Sequence, residues 1–178
     1  MYHAIVRRRV VGIFEALSAG EYEVVLAGLA ERFEHVFSGS HPLGGVRRTY
    51  PAMRRWFERL FRLNRHLNFS IKHIAVSGMP WNTTAVVEWR DRAELADGSD
   101  YVNDGAHVIR MRWGKVVSLH AYLDTETFAA ACRRMAASGL EEAAASPIAD
   151  DQPFEAVALE AASGSGALGI ASVASVAP

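Results

Sequence analysis

The sequence predicts an α+β domain in which helices pack on one face of a curved antiparallel sheet. Three observations carry this. Two helical stretches open the chain, one strongly amphipathic helix lies near residue 55, and four strand-like stretches follow at short intervals after residue 68. The predicted order is αα-β-α-ββββ-α.

Each element has its own signal. Val6, Val10, Ile13 and Leu17 recur at helical spacing over residues 3–18, and Gly20 is a stop. Tyr22, Val25, Leu26 and Leu29 give a shorter helix over 21–29. Residues 32–38 read as a strand running into the loop Gly39-Ser-His-Pro-Leu-Gly-Gly45. Tyr50-Pro51 opens the third helix, since proline is tolerated in a first turn. Met53, Trp56, Phe57, Leu60 and Phe61 fill one stripe of it, and its arginines read as a solvated face. Strands are expected over 68–78, 83–95, 100–113 and 115–123, punctuated by Gly78-Met-Pro, Asp97-Gly98 and Trp113-Gly-Lys115. Asp124 or Thr125 can cap a last helix that ends near Ala137.

Composition bounds the function. Half of the 178 residues are hydrophobic and 22% are charged, enough for one domain over residues 1–138. All 19 Lys and Arg precede residue 135, against 14 acids there, whereas the remaining 44 residues hold six acids and no base. Residues 139–178, rich in Ala, Ser and Gly, are expected to be a disordered acidic tail able to cover the basic body only electrostatically. The mild body charge argues against nucleic acid. No run of about 18 apolar residues is present, and the N-terminus lacks the order of a signal peptide, so a cytoplasmic location is expected, with no membrane partner. The lone Cys132 excludes an internal disulfide, and no metal-ligand spacing occurs.

The candidate site centres on Tyr101-Val-Asn-Asp-Gly-Ala-His-Val-Ile-Arg-Met-Arg-Trp113. Side chains two apart share a strand face, so Tyr101, Asn103 and His107 stand in a row that grades into Ile109 and Met111. That fits a pocket apolar at its base and polar where a ligand is oriented. The alternative for His107 is a histidine held in the core by a hydrogen bond. His35 is a second proton-transfer candidate, set apart from an apolar layer of Phe33 and Phe37. His41 lies in the Gly/Pro-bounded loop, where it could serve a ligand or a turn. Trp56 reads as core before ligand platform. Glu88 and Arg90 share a face with Val86 and opposite Trp89; inside they would be a buried ion pair, outside an unimportant surface pair. His120 and Tyr122 have the parity opposite to Leu119, Ala121 and Leu123, which places them on the outer face at an expected homodimer interface.

The stretches His41-Pro-Leu-Gly-Gly45, Arg54-Arg-Trp-Phe-Glu-Arg-Leu60, Asp97-Gly98 with Tyr101, Gly114-Lys-Val-Val117 and Ala121-Tyr-Leu-Asp124 resemble the NTF2-like superfamily, and in particular its SnoaL-like, polyketide-cyclase-like branch. The resemblance covers about residues 3–137. It implies a cone of bent sheet and helices around a ligand cavity, often paired through the outer sheet face. Ketosteroid isomerases of this superfamily carry an aspartate base near the position of His35. Limonene-epoxide-hydrolase-like members use an Arg/Asp pair and a further Asp. Here Glu88 and Arg90 match the pair, but Ala121 takes the further position, which breaks that constellation. Asp124 is the possible counterpart of the acidic base of SnoaL-type cyclases. The resemblance implies cofactor-free acid–base chemistry on an apolar or polyketide-like molecule: isomerisation, cyclisation or dehydration. His107, His35 or Asp124 would move the proton, and Tyr101 and Asn103 would hold a carbonyl oxygen. The other reading is a non-catalytic ligand-binding or dimerisation module.

Overall fold

A computed structural model of the protein describes residues 1–150. The elements are α1 (Tyr2–Ser18), α2 (Glu23–Gly28), β1 (Leu29–Phe37), β2 (Gly45–Arg47), α3 (Tyr50–Leu63), β3 (Asn64–Met79), β4 (Asn82–Leu95), β5 (Asp100–Arg112), β6 (Lys115–Leu123) and α4 (Thr125–Ala137). The strands form one six-stranded sheet in the order β2-β1-β6-β5-β4-β3. The predicted class holds, with two refinements. Part of the expected loop pairs with β1 as the short strand β2, and β1 runs parallel to β6, so the sheet is mixed.

Local chemistry sets the turns. Trp113 and Gly114 have φ of 50° and 77°, and Arg112 pairs with Lys115, so β5 and β6 are joined by a two-residue hairpin. β3 and β4 join through Pro80-Trp81, since Met79 pairs with Asn82. Register shifts between Arg65 and Asn68, and again between Ile71 and His73, bend this hairpin over the helices. Thr49 caps α3, accepting from the Ala52 N–H at 3.4 Å, and Asp124 caps α4, accepting from the Thr127 N–H at 3.0 Å.

Two apolar groups fill the concave side. Val6, Val10 and Phe14 of α1 pack on Ala85, Val87 and Trp89 of β4. Met53, Trp56, Phe57 and Leu60 of α3 pack against Phe33, Phe37 and Phe128. Gly105 is a fixed requirement of this packing. It pairs with Trp89 in register, and a Cβ there would stand 2.5 Å from the Trp89 ring and 2.5 Å from the Tyr122 carbonyl oxygen. The missing side chain lets the indole lie across β5.

The packed chain does not stop at residue 138. Residues 139–150, expected to begin the tail, run back over α3 and β2. Glu142 in the 3-10 turn Glu141–Ala144 pairs with Arg62 at 2.6 Å and Arg59 at 3.4 Å. The Ser146 carbonyl accepts from Arg59 at 2.8 Å, and the Asp150 carboxylate accepts from the Thr49 N–H and hydroxyl at 3.1 and 2.8 Å. Part of the arginine face of α3 is therefore paired rather than solvated. The rest of the expected tail, 151–178, lies outside the described residues.

Gly105→Ala should destabilise the fold by about 1–3 kcal/mol, because the methyl meets a rigid ring and a backbone oxygen together. Chemical denaturation checks this; an unchanged midpoint would mean the indole does not need the gap.

Candidate active site

The two apolar groups meet around a cavity of about 70 Å³ beneath α1 and α3. Its wall is apolar and rich in aromatic side chains, including Phe14, Trp56, Phe57, Phe69 and Trp89. Five polar side chains also reach it: His35, Asn64, Asp91, Tyr101 and His107.

β5 supplies Tyr101 and His107 because both lie on its inner, odd-numbered side. Tyr101 is buried, and its hydroxyl accepts from the Asn103 amide at 2.6 Å. The Tyr101 proton is thus left for an acceptor in the cavity. Burial, then the neighbouring Asp91 charge, raises its pKa, so the phenol stays protonated. Asn103 itself does not line the cavity. Its second donor contact is the Asp124 carbonyl at 3.0 Å, and its oxygen accepts from the Asp104 N–H at 2.8 Å. Asn103 holds Tyr101 in place rather than touching a ligand.

The two histidines share one arrangement. Trp89 Nε1 donates to His107 Nδ1 at 2.6 Å, and Arg47 Nε donates to His35 Nδ1 at 3.0 Å. Indole and guanidinium N–H groups can only donate, so each imidazole carries its proton on Nε2 when neutral. Burial, then the His120 charge, holds His107 down at about 4. Burial, then Arg47, lowers His35 as well. Neither has a free basic nitrogen at neutral pH, and both offer an N–H instead. That corrects the expectation of either as the proton acceptor.

His35 also corrects its expected facing. Residues 33, 35 and 37 share parity, so His35 lies in the Phe33/Phe37 layer, where Trp56 meets it edge-on at 4.5 Å. The fully buried Arg47 behind it is satisfied chiefly by carbonyls, those of Gly44 at 2.8 Å and Ile148 at 3.2 Å among them, and sits 5.3 Å over the Trp56 ring. Trp56 does line the cavity, while its own N–H is spent on the Leu43 carbonyl at 2.8 Å.

Asp91 was not anticipated from the sequence. The inward side of β4 carries Ala85, Val87, Trp89, Asp91, Ala93 and Leu95, all buried. Within that stripe the Asp91 carboxyl faces the cavity, and its Oδ1 meets no hydrogen-bond donor. Burial pushes its pKa up to about 7, against a smaller opposite pull from the backbone N–H groups of Asn103 and Asp91 itself. The signal was legible as one acid inside an apolar alternation. Asn64, at the end of α3, was also missed; its amide donates to the Leu60 carbonyl at 3.1 Å and its oxygen is unpartnered.

Four expected site residues lie elsewhere. Glu88 and Arg90 have the outward parity of β4 and are exposed. There Arg90 pairs with Asp104 at 2.7 Å, and Lys72 pairs with Asp104 at 2.6 Å and Glu88 at 4.0 Å. Asp124 is exposed and spends its carboxylate on the α4 cap, which lowers its pKa, so it does not reach the cavity. His41 is buried behind the wall, with Nε2 donating to the Ser38 carbonyl at 2.9 Å and its ring 4.6 Å from Phe128. Its Nδ1 has no partner.

The fold matches solved structures of low sequence identity. An NTF2-like protein of unknown function from Burkholderia pseudomallei K96243 is 20% identical, with a TM-score of 0.61 over 67% of this chain and 91% of the other. PrhC from Penicillium brasilianum NBRC 6234 is 16% identical, with a TM-score of 0.64 over 77% and 94%. A protein from Jannaschia sp. CCS1 described as a SnoaL-like polyketide cyclase is 15% identical, with a TM-score of 0.54 over 66% and 83%. No curated protein matches the chain. The model of the SnoaL-like domain matches residues 10–119, from the second half of α1 into β6, which includes most of the cavity wall, and the chain belongs to that family.

Proposed function

We propose that this cavity binds an apolar, carbonyl-bearing molecule and moves a proton on it, with Asp91 as the general acid–base. The observation that supports this reading is the Asp91 carboxyl, buried among aromatic side chains with an oxygen that no protein donor satisfies. A carboxyl kept near neutrality can exist in both forms at working pH, which suits proton transfer. In the ionised form it removes a proton next to the carbonyl, and the negative charge moves to the carbonyl oxygen. Tyr101 O–H and the His107 Nε2–H are donors available to that oxygen. Isomerisation, cyclisation and dehydration all share this step. The family's small-molecule binding supports the ligand side of the reading. The convex sheet face, where His120 stacks on Tyr122 at 3.8 Å and Val102 is exposed, is the surface through which two copies would pair.

The test is deuterium exchange at the α carbons of cyclic ketones in D2O, followed by NMR. The protein should accelerate exchange, with kcat/KM rising as pH increases through about 7, the Asp91 midpoint. Asp91→Asn should lower it by about 10²-fold or more. No acceleration of exchange for any ketone that binds would leave a binding module instead, and acceleration equal in the two proteins would remove Asp91 from the chemistry.

Asp91→Asn should also be the more stable protein above pH 7. A carboxyl whose folded pKa is raised binds its proton more tightly when folded, so stability falls as pH rises from about 4 to about 7 and then levels. The neutral amide carries no such penalty, which is on the order of a few kcal/mol. Thermal melts of both proteins at pH 4 and pH 8 should diverge only at the higher pH; parallel curves would contradict the burial of an ionising Asp91.

A further inference from the structure

A second chamber adjoins the first, between α1 and the β5–β6 turn, with a volume of about 240 Å³. Ile13, Val25, Ile109 and Leu119 line both, so these side chains form a shared partition. The size of the inner cavity makes this adjacency matter. Ligand sites usually occupy roughly 300–1,000 Å³. The inner cavity alone, at about 70 Å³, falls far short, and together with the outer chamber it reaches the lower end of that range.

The walls differ in kind. The inner chamber is lined by eight aromatic side chains beside its aliphatic ones, whereas the outer one has two, Tyr2 and Trp113, and is mainly aliphatic, through Val6, Val10, Leu29, Met111 and Val116. It opens beside Ile5 and Trp113, which are 59% and 73% exposed. Gly28 forms part of its buried wall, and a Cβ there would meet no atom within 4 Å. The backbone at Gly28 has no positive φ, so the missing side chain answers no local conformational need and adds open space.

We infer that the two chambers form one site for an elongated substrate, whose flat carbonyl-bearing head occupies the aromatic chamber and whose alkyl chain occupies the aliphatic one. This rests on the cavity being a ligand site, as proposed above, and not on the proton transfer. The chain enters past Ile5 and Trp113, and Ile13 and Ile109 rotate aside to join the chambers. Aliphatic walls suit a flexible alkyl chain because they gain from area buried and impose no ring geometry.

Calorimetric titration with 4-n-alkylphenols, from methyl to octyl, tests it. Affinity should rise roughly fourfold per added methylene over the first members, the gain for burying a CH₂. Gly28→Leu and Val116→Phe, which fill the outer chamber, should leave 4-methylphenol affinity unchanged and weaken 4-octylphenol by tenfold or more. Thermal melts check that each is folded; the Cβ that Gly28→Leu adds would meet no atom within 4 Å. Affinity independent of chain length, or a chain-length gain intact in both filled variants, would overturn the two-chamber site. Failure of every phenol to bind would overturn the cavity reading with it. Chain-dependent binding without ketone exchange would keep the two chambers and overturn only the proton-transfer chemistry.

Discussion

A sheet that curls over α1 and α3 has one inside, and every second side chain must enter it. That two-residue period governs the rest of the structure. On β4 it sends Val87, Trp89 and Asp91 inward and Glu88 and Arg90 outward. On β5 it sends Tyr101, Asn103 and His107 inward and Asp104 outward. The same alternation therefore builds two unlike polar groupings. Outside, Lys72, Arg90 and Asp104 pair in water, where such contacts contribute little. Inside, a few polar groups stand in a buried apolar wall, where an unpaired oxygen is costly.

The inner polar groups are set by donors behind them. Arg47 fixes His35, Trp89 fixes His107 and Asn103 fixes Tyr101. In each case the donor uses the lone pair of the residue in front of it and leaves an N–H or O–H facing the cavity. The wall thus presents hydrogen-bond donors around one carboxyl that receives none from a side chain. Such a layout is poor for stability and suited to a ligand that brings an oxygen of its own. Gly105 belongs to the same device, since its missing side chain lets Trp89 cross to His107.

The sequence was informative where one strand carried its own contrast. The row Tyr101, Asn103, His107 on β5 was legible as one buried face because its polar and apolar members share parity, although Asn103 stops short of the cavity. β4 is less plain: Glu88 and Arg90 look like a charge pair with a purpose, yet they lie on the outer face while Asp91 stands on the apolar side. The alternation Val87, Trp89, Asp91, Ala93 holds the better clue, one acid where every neighbour is apolar. His35 was separable by parity as well, being in step with Phe33 and Phe37. Other features leave no local trace. β1 and β6 pair in parallel across some 80 residues of chain, with no turn to announce it. The packing of residues 139–150 depends on Glu142 and Asp150 finding Arg62 and Thr49, which composition alone describes only as acid near base. That His107 and His35 are donors rather than bases depends on what stands behind them, which no spacing reveals.

The proposed proton transfer requires a carboxyl inside the cavity that changes charge near neutral pH. A ¹³C NMR titration of the aspartate carboxyl carbons, with Asp91 assigned by its loss in Asp91→Asn, measures this directly. The account predicts a midpoint for Asp91 of about 7, displaced when a phenol occupies the cavity. A midpoint near 4, the ordinary aspartate value, would contradict it.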